Sequence, residues 1–458
     1  MDRKKSNLVS SNVWENPFTS ITLAIMAIVI AFAISQSTTR AQNPPVDPVG
    51  FGIEGTWDAS PQEPDIVVTT AAELQSALSP ANAGARILVR AGVYDVSQAL
   101  TVPDRAAVVG EGVMSFDESG LPTGFEPSGR TLLRATPALV GNVLTLGDGA
   151  TVRGLVIEDV VGRLVAGHAV AVLSRAAGDF ISARIEECEI IKSNPQGSAG
   201  RGLAVQTRNP DLEPPHEGAV LRVQMTRSIV RSPRAGGGVF AINFASHSEI
   251  RLDVESNVVG GGLNSSGGVG TPDAVTGAGV IIKSSHNLYR SDSPVPTAIG
   301  WTLFGGADSP LPLIVSQAST FNTLQIDSID DTLAGFATGI VAAGGRRFSA
   351  LSATISSNRV GLNLHGTLLQ TTTVDLRLSG ATSLVGVSTG DENTAHVLLR
   401  QATGSGARAN QYAHSSTPPT GSPGMGNRLE IVGNANAFDQ TNENFVPPPP
   451  AEFFTGGH

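Results

Sequence analysis

MTRSIVR (225–231), VESNVVG (254–260), SSHNLYR (284–290) and ISSNRVG (355–361) are variants of one short segment, and their spacing decides the architecture. With Ser228, Asn257, Asn287 and Asn358 as equivalent anchors, the residues seven and five places earlier are Leu221/Val223, Ile250/Leu252, Val280/Ile282 and Leu351/Ala353. Each apolar pair alternates with polar residues, as strands with one buried face do. The first three anchors fall at 228, 257 and 287, a step of one short coil, so the spacing predicts a solenoid of stacked strands. The Asn anchors are expected to form turns, tolerate left-handed backbone and ladder between coils.

Composition agrees with that reading. The chain has 458 residues, 52 of them Gly, and only 5% aromatic residues, which suits many tight turns better than a few large helices. Val, Ile, Leu and Ala supply the core, and such residues pack well on repeated pleated faces. A formal charge of −10 provides no basic field for phosphate, so nucleic acid is excluded as an expected partner. The same charge penalises polyanionic substrates unless local Arg residues or bound cations reverse it. Cys188 stands alone, so no intrachain disulfide forms, and its expected role is a small buried apolar side chain.

Arg3, Lys4 and Lys5 precede an apolar run from Ile21 to Ile34 and then Thr39-Arg40-Ala41, the pattern of an export signal over 1–41. The run is short for a bilayer span, and an uncleaved anchor is the alternative and the one expected membrane contact. Export places the protein outside the cell or at a bacterial-type envelope. Residues 42–64 are Pro/Gly-rich and read as a linker; 441–458, with Pro447–Pro450, read as a disordered tail. Between them, 65–440 form the expected folded domain. It begins with a strand at Asp65–Val68, then a capping-box helix, Thr70 to Leu78, with Glu73 three residues after Thr70 and Leu74/Leu78 on one face.

Short strands follow at Ile87–Val89, Gly92–Tyr94, Leu100–Val102 and Ala107–Gly110. The succession AAELQSAL, ARILVRAGVYDVSQALTV and AAVVGEG resembles the opening of the pectin-lyase-like superfamily, and VLTLGDGATVRGLVIED (143–159) adds a similar coil with Leu144, Leu146, Val152, Leu155 and Ile157 inward. The resemblance implies an all-β fold: a single-stranded right-handed parallel β-helix solenoid with a short N-terminal capping helix. It implies no particular activity, because this architecture hosts lyases, hydrolases, adhesins and proteins without chemistry. Irregular stretches at Arg208–Gly218, Asn264–Gly277 and Thr403–Asn427 are expected to project as loops and wall a cleft.

The anchors also number the outward positions. Arg222 and Arg251 stand six residues before theirs, Gln224, Asp253 and Lys283 four before, and Thr226 and Glu255 two before. In neighbouring coils equivalent residues lie about 4.8 Å apart. Arg222, Arg251, Asp253, Glu255 and Lys283 are therefore candidates for substrate binding, with Arg able to hold a carboxylate at two points. A solvated face of compensating charges is the competing reading. Arg231-Ser232-Pro233-Arg234 resembles the Arg-x-Pro-x-x-Arg element of pectate lyases, which would make Arg231 the base, yet Gly236 occupies the second Arg position. Asp330 and Asp331, with Asp327, form the densest acidic cluster and are candidates for a hydrolytic pair. The polygalacturonase pattern is not met, since Leu324 follows Asn322-Thr323 and no Gly-His-Gly appears. The eight His show no metal-ligand spacing; neither a metal nor a cofactor is expected, with calcium an option if the protein is a lyase.

The functional expectation is an exported protein that binds a polysaccharide or cell-envelope glycan, or builds a surface structure, with no recognised catalytic set. A polysaccharide lyase or glycoside hydrolase acting on an acidic polysaccharide is the alternative, and an oligomeric fibre or adhesin module is a third class. The sequence leaves oligomeric state open.

Overall fold

In the computed structural model the chain is described over residues 63–433, apart from 160–166, 193–199, 209–215, 234–236, 271–273, 293–298, 308–316, 337, 348–352, 371–372, 382–392, 401–402, 406–407 and 413–427. The segments expected to be a signal or anchor (1–41) and a tail (441–458), and most of the expected linker (42–64), lie outside the described residues.

Nearly all of the structure is parallel strand. One sheet has 12 strands and two more have 10 each, and the chain visits the three in rotation. One coil illustrates the path. Glu249–Glu255 lies in the first sheet, Val258–Gly260 in the second and Leu263–Ser266 in the third, after which Gly279–Ser285 returns to the first. Register between coils is strict: Arg222, Arg251, Ile281, Gln325 and Gly361 face one another in successive strands of the first sheet. Because side chains alternate, this register fixes which residues are inside. Ile250, Leu252 and Val254 stack between Leu221, Val223 and Met225 on one side and Val280 and Ile282 on the other, all buried. Leu144, Leu146, Val152, Leu155 and Ile157 are also buried in this continuous core, as expected.

Cys188 belongs to the same core, and burial pushes its thiol up to about 12. The helix Ala71–Ala77 carries the full capping box: the Glu73 N–H donates to Thr70 Oγ1 (3.2 Å) and the Thr70 N–H to Glu73 Oε2 (3.0 Å). Leu74 and Leu78 join the core beside the first strand, Ile66–Val68.

Two corners of the coil share one device, a residue in the left-handed region followed by a buried hydrogen-bonding side chain. At the corner between the first and second sheets the left-handed residues are Glu187, Arg227, Ser256, His286 and Asp330, with φ of 47° to 55°. Such a conformation costs about 1–2 kcal/mol for a residue with a Cβ. The next residue in each coil offsets this cost by bonding the coil before it. The Cys188 N–H donates to Ser228 Oγ (3.1 Å), Ser228 N–H to Asn257 Oδ1 (2.8 Å), Asn257 N–H to Asn287 Oδ1 (2.9 Å) and Asn287 N–H to Asp331 Oδ1 (2.8 Å). The anchors are therefore a ladder, as expected, but the left-handed residue is the one before each Asn. The carboxamide must point inward to reach the neighbouring coil, which leaves the preceding residue to make the bend.

Asn358 belongs elsewhere. It sits at the corner between the third and first sheets, where Ala278 N–H donates to Asn322 Oδ1 (2.9 Å), Asn322 N–H to Asn358 Oδ1 (3.0 Å) and Asn358 N–H to Asn393 Oδ1 (3.1 Å). Its first-sheet strand, Arg359–His365, follows it rather than precedes it. Ala353 lies in a separate three-stranded side sheet, and Leu351 falls outside the described residues. The position equivalent to Asn287 in that coil is Thr367, whose hydroxyl meets Ser328 Oγ at 2.8 Å.

The second ladder has a matching glycine column. A Cβ on Gly268 would stand 2.4 Å from the Asn322 side chain, one on Gly306 2.4 Å from Asn358, and one on Gly345 2.8 Å from Asn393. These are the second residues of the Gly-Gly pairs 267–268, 305–306 and 344–345, each in the preceding coil. The stretch expected to be a loop at 264–277 also contains strand: Leu263–Ser266 pairs with Val239–Ile242 and with the strand Ile299–Ala307. Ladder bonds on both sides override its small polar composition, and Ser265 turns its hydroxyl to the Ala241 carbonyl (2.8 Å). Thr403–Ser405 and Arg408–Tyr412, within another expected loop, are likewise strands.

Candidate functional site

The outer face of the first sheet carries a concavity with a chemically varied lining. It encloses about 690 Å³ and is lined by Asp253, Glu255, Lys283, Asp327, Asn363 and His365, with Ser285, Ile329 and Leu398 completing its walls. Three of the five residues expected to bind substrate are therefore together. Strand register explains it: Asp253, Lys283, Asp327, Asn363 and Leu398 form one transverse row, and Glu255, Ser285, Ile329 and His365 the next.

The carboxylates in this groove have different surroundings. Burial holds the Asp253 carboxyl above its ordinary range, Glu255 adds to the rise, and Lys283 opposes it. No described residue donates a hydrogen bond to Asp253 or Glu255. Asp327 Oδ1, in contrast, accepts from Gln325 Nε2 (3.0 Å) and Asn363 Nδ2 (2.5 Å). Gly361 makes room for this arrangement, because a Cβ there would lie 2.1 Å from Gln325 Oε1. Counting Asp253, Glu255 and Asp327 against Lys283, the acidic and Lys side chains among the described lining residues sum to −2. Planar carboxylate and amide groups stand beside an exposed aliphatic side chain, Ile329 at 46% exposure.

The remaining candidates lie elsewhere. Arg222 and Arg251 are in-register neighbours, but they sit one row away from the groove and do not line it. Arg251 pairs with Glu249, and the Arg222 guanidinium lies 5.2 Å from the Phe180 ring centroid. Arg231 is on a strand of the second sheet, Ile229–Arg231, and its Nε donates to Glu189 Oε1 at 2.5 Å. A base must reach the substrate, and this guanidinium is engaged by the Glu189 carboxylate on its own sheet.

Asp330 and Asp331 do not form a pair. Asp330 is the exposed left-handed corner residue, 3.8 Å from His286 Nε2. Asp331 is fully buried, accepts from Asn287 and from the Ser328 hydroxyl (2.7 Å), and has its carboxyl pushed up by burial. The chain's alternation turns successive side chains to opposite faces.

Sequence reasoning missed Asn363, His365 and Leu398 and left Asp327 with its acidic neighbours. The signal was obscured by unequal coils: the row residue advances 30 positions from Asp253 to Lys283, 44 to Asp327 and 36 to Asn363. Among the described residues no group of three or more His, Cys, Asp or Glu could hold a metal ion. No described helix is long and apolar enough to cross a membrane. Residues 209–215, expected to wall a cleft, lie outside the described residues. No protein-family model matches the chain, and no curated protein matches it.

Proposed function

We propose that the protein is an exported right-handed parallel β-helix of the pectin-lyase-like type that binds a saccharide in the groove on its first sheet. The row Asp253–Lys283–Asp327–Asn363, set into a concavity on a rigid sheet, carries this reading. Strands hold their side chains at fixed spacing, so a ligand meets a preorganised line of donors and acceptors. Right-handedness is supported by the general rule for parallel crossovers, and a capping role for the helix Ala71–Ala77 is supported by Leu74 and Ala77 joining the core. The acidic lining argues against a polyuronate, so the acidic-polysaccharide lyase reading loses its electrostatic basis.

A glycan array probed with the chain from residue 42, followed by titration calorimetry, tests the proposal. Binding lost in D327N and D253N supports it; no binding to any glycan favours a purely structural surface role. Hydrolysis is a second reading, favoured by one observation. Asp253 and Asp327 stand two strand steps apart, about 9–10 Å along the sheet, near the upper end of the carboxyl separation used by inverting glycosidases. New reducing ends from a bound glycan, abolished in D253N and in D327N, would establish it.

A further inference from the structure

The strongest feature of the groove is the imbalance between its acceptors and its donors. Asp253 is half-buried and Glu255 exposed, both line the concavity, and no described residue donates a hydrogen bond to either. Asp327 commits only Oδ1 to the amides of Gln325 and Asn363. Lys283, second in the row, is the one cation among the described residues of the lining, with Asp253 in register on one side and Asp327 on the other. The site as built is two carboxylates flanking one ammonium, with a third carboxylate beside them, aliphatic Ile329 in the row of Glu255 and aliphatic Leu398 at the end of the Asp253 row.

Hydroxyl donors alone would satisfy hydrogen bonding but leave the net charge of −2 uncompensated. A ligand bearing ammonium groups would satisfy both. Burial of a carboxylate in a concavity raises the reward for a counter-charge, because the local dielectric is lower than that of water. The aliphatic wall favours a ring face over a flexible linear amine, since a rigid ring loses less conformational entropy on binding. We propose that the groove selects a cationic saccharide, an oligomer of amino sugars with unblocked amines, in which the ammonium groups meet Asp253 and Asp327 and a ring face covers Ile329. The inference rests on the groove being a saccharide site and specifies its ligand class. Lys283 then acts as a specificity residue: it sets the register of the ligand's ammonium groups by repelling one placed over its own strand.

The test is calorimetric titration of the chain from residue 42 with four probes of matched length: glucosamine oligomers, the same oligomers fully N-acetylated, galacturonate oligomers, and spermine as a linear amine. The expected result is binding of the glucosamine oligomers, weakened about tenfold or more by N-acetylation and by D253N or D327N, each of which removes a charge-assisted contact. Affinity should fall with added salt, and K283A should strengthen it. N-acetylation alters only the ligand, so this comparison stands even if a variant folds poorly. Equal binding of the acetylated oligomers would overturn the cationic proposal while leaving the saccharide site intact. Preference for galacturonate would overturn it also. Spermine binding as tightly as the oligomers would overturn the role given to the ring, and failure of every saccharide would remove the site itself.

Discussion

Replacing Asn287 with Ala should be among the most damaging single changes in the first ladder. Asn287 Oδ1 accepts the Asn257 N–H and Nδ2, both at 2.9 Å, and its Nδ2 donates to the Val254 carbonyl (2.9 Å) and to Asp331 Oδ1 (3.0 Å). Both Asn residues are buried, so water does not replace what is lost. Orphaning the Asn257 N–H costs about 1–3 kcal/mol and losing the bonds to Val254 and Asp331 about 0.5–1.5 each, for a total of about 2–6 kcal/mol. Asn287→Ser provides the internal control. Ser228 already shows that a hydroxyl at this corner accepts the N–H of the previous coil, here from Cys188 at 3.1 Å. The Ser variant should therefore recover the part of the loss due to the orphaned N–H. Urea unfolding followed by Trp301 fluorescence measures both, since Trp301 is fully buried and meets Tyr289 edge-on at 5.1 Å, two residues from the substituted position. Hydrogen exchange at the Asn257 amide would localise the effect, because arrays of coils open in parts. Equal destabilisation by Ala and Ser, or a loss below about 1 kcal/mol in both, would refute the claim that the ladder stabilises the corner by hydrogen bonding.

Asp331→Asn should stabilise the protein more at neutral than at acid pH. The folded carboxyl is raised by burial, so the folded state binds more protons than the unfolded one, and wild-type stability falls as pH rises from the unfolded value of about 3.9 through the raised folded value. Urea midpoints should converge near the bottom of that window and separate above it, and a constant difference would contradict the assignment. Gly306→Ala should destabilise by about 1–3 kcal/mol through the clash with Asn358, seen as a lowered melting temperature, whereas the open position Gly279 should accept Ala at smaller cost. Thr70→Ala should cost about 1 kcal/mol by removing the helix N-cap, measurable as a shift in urea midpoint. Cys188 should resist thiol reagents in the native protein and react fully once unfolded; native labelling would contradict its burial in the core.

The groove was partly legible because Asp253, Glu255 and Lys283 lie in coils separated by 29 to 30 residues, where counting back from an anchor gives the true register. Beyond Lys283 the coils lengthen by inserted segments, and counting fails although the strands still align. Asn358 was misplaced for a different reason. Ser256-Asn257 and Ser357-Asn358 are the same dipeptide at two different corners, with φ of 55° and 56° at the two Ser residues. Both corners need a left-handed residue followed by an inward acceptor, so local chemistry cannot distinguish them. Asp330 and Asp331 failed as a pair because adjacency in sequence opposes two side chains across a corner.

By itself the sequence determined what depends on local periodicity: parallel strands with one buried face, coil-by-coil stacking, a capped first helix, a buried thiol and Asn that ladder between coils. These follow from side-chain alternation and from the conformational preferences of a few residues. Only the tertiary structure decided which coils face one another, which corner each Asn serves and which carboxylates share a groove. Those outcomes depend on register between strands 30 to 44 residues apart, and the register is set by ladder bonds and core stacking rather than by distance along the chain.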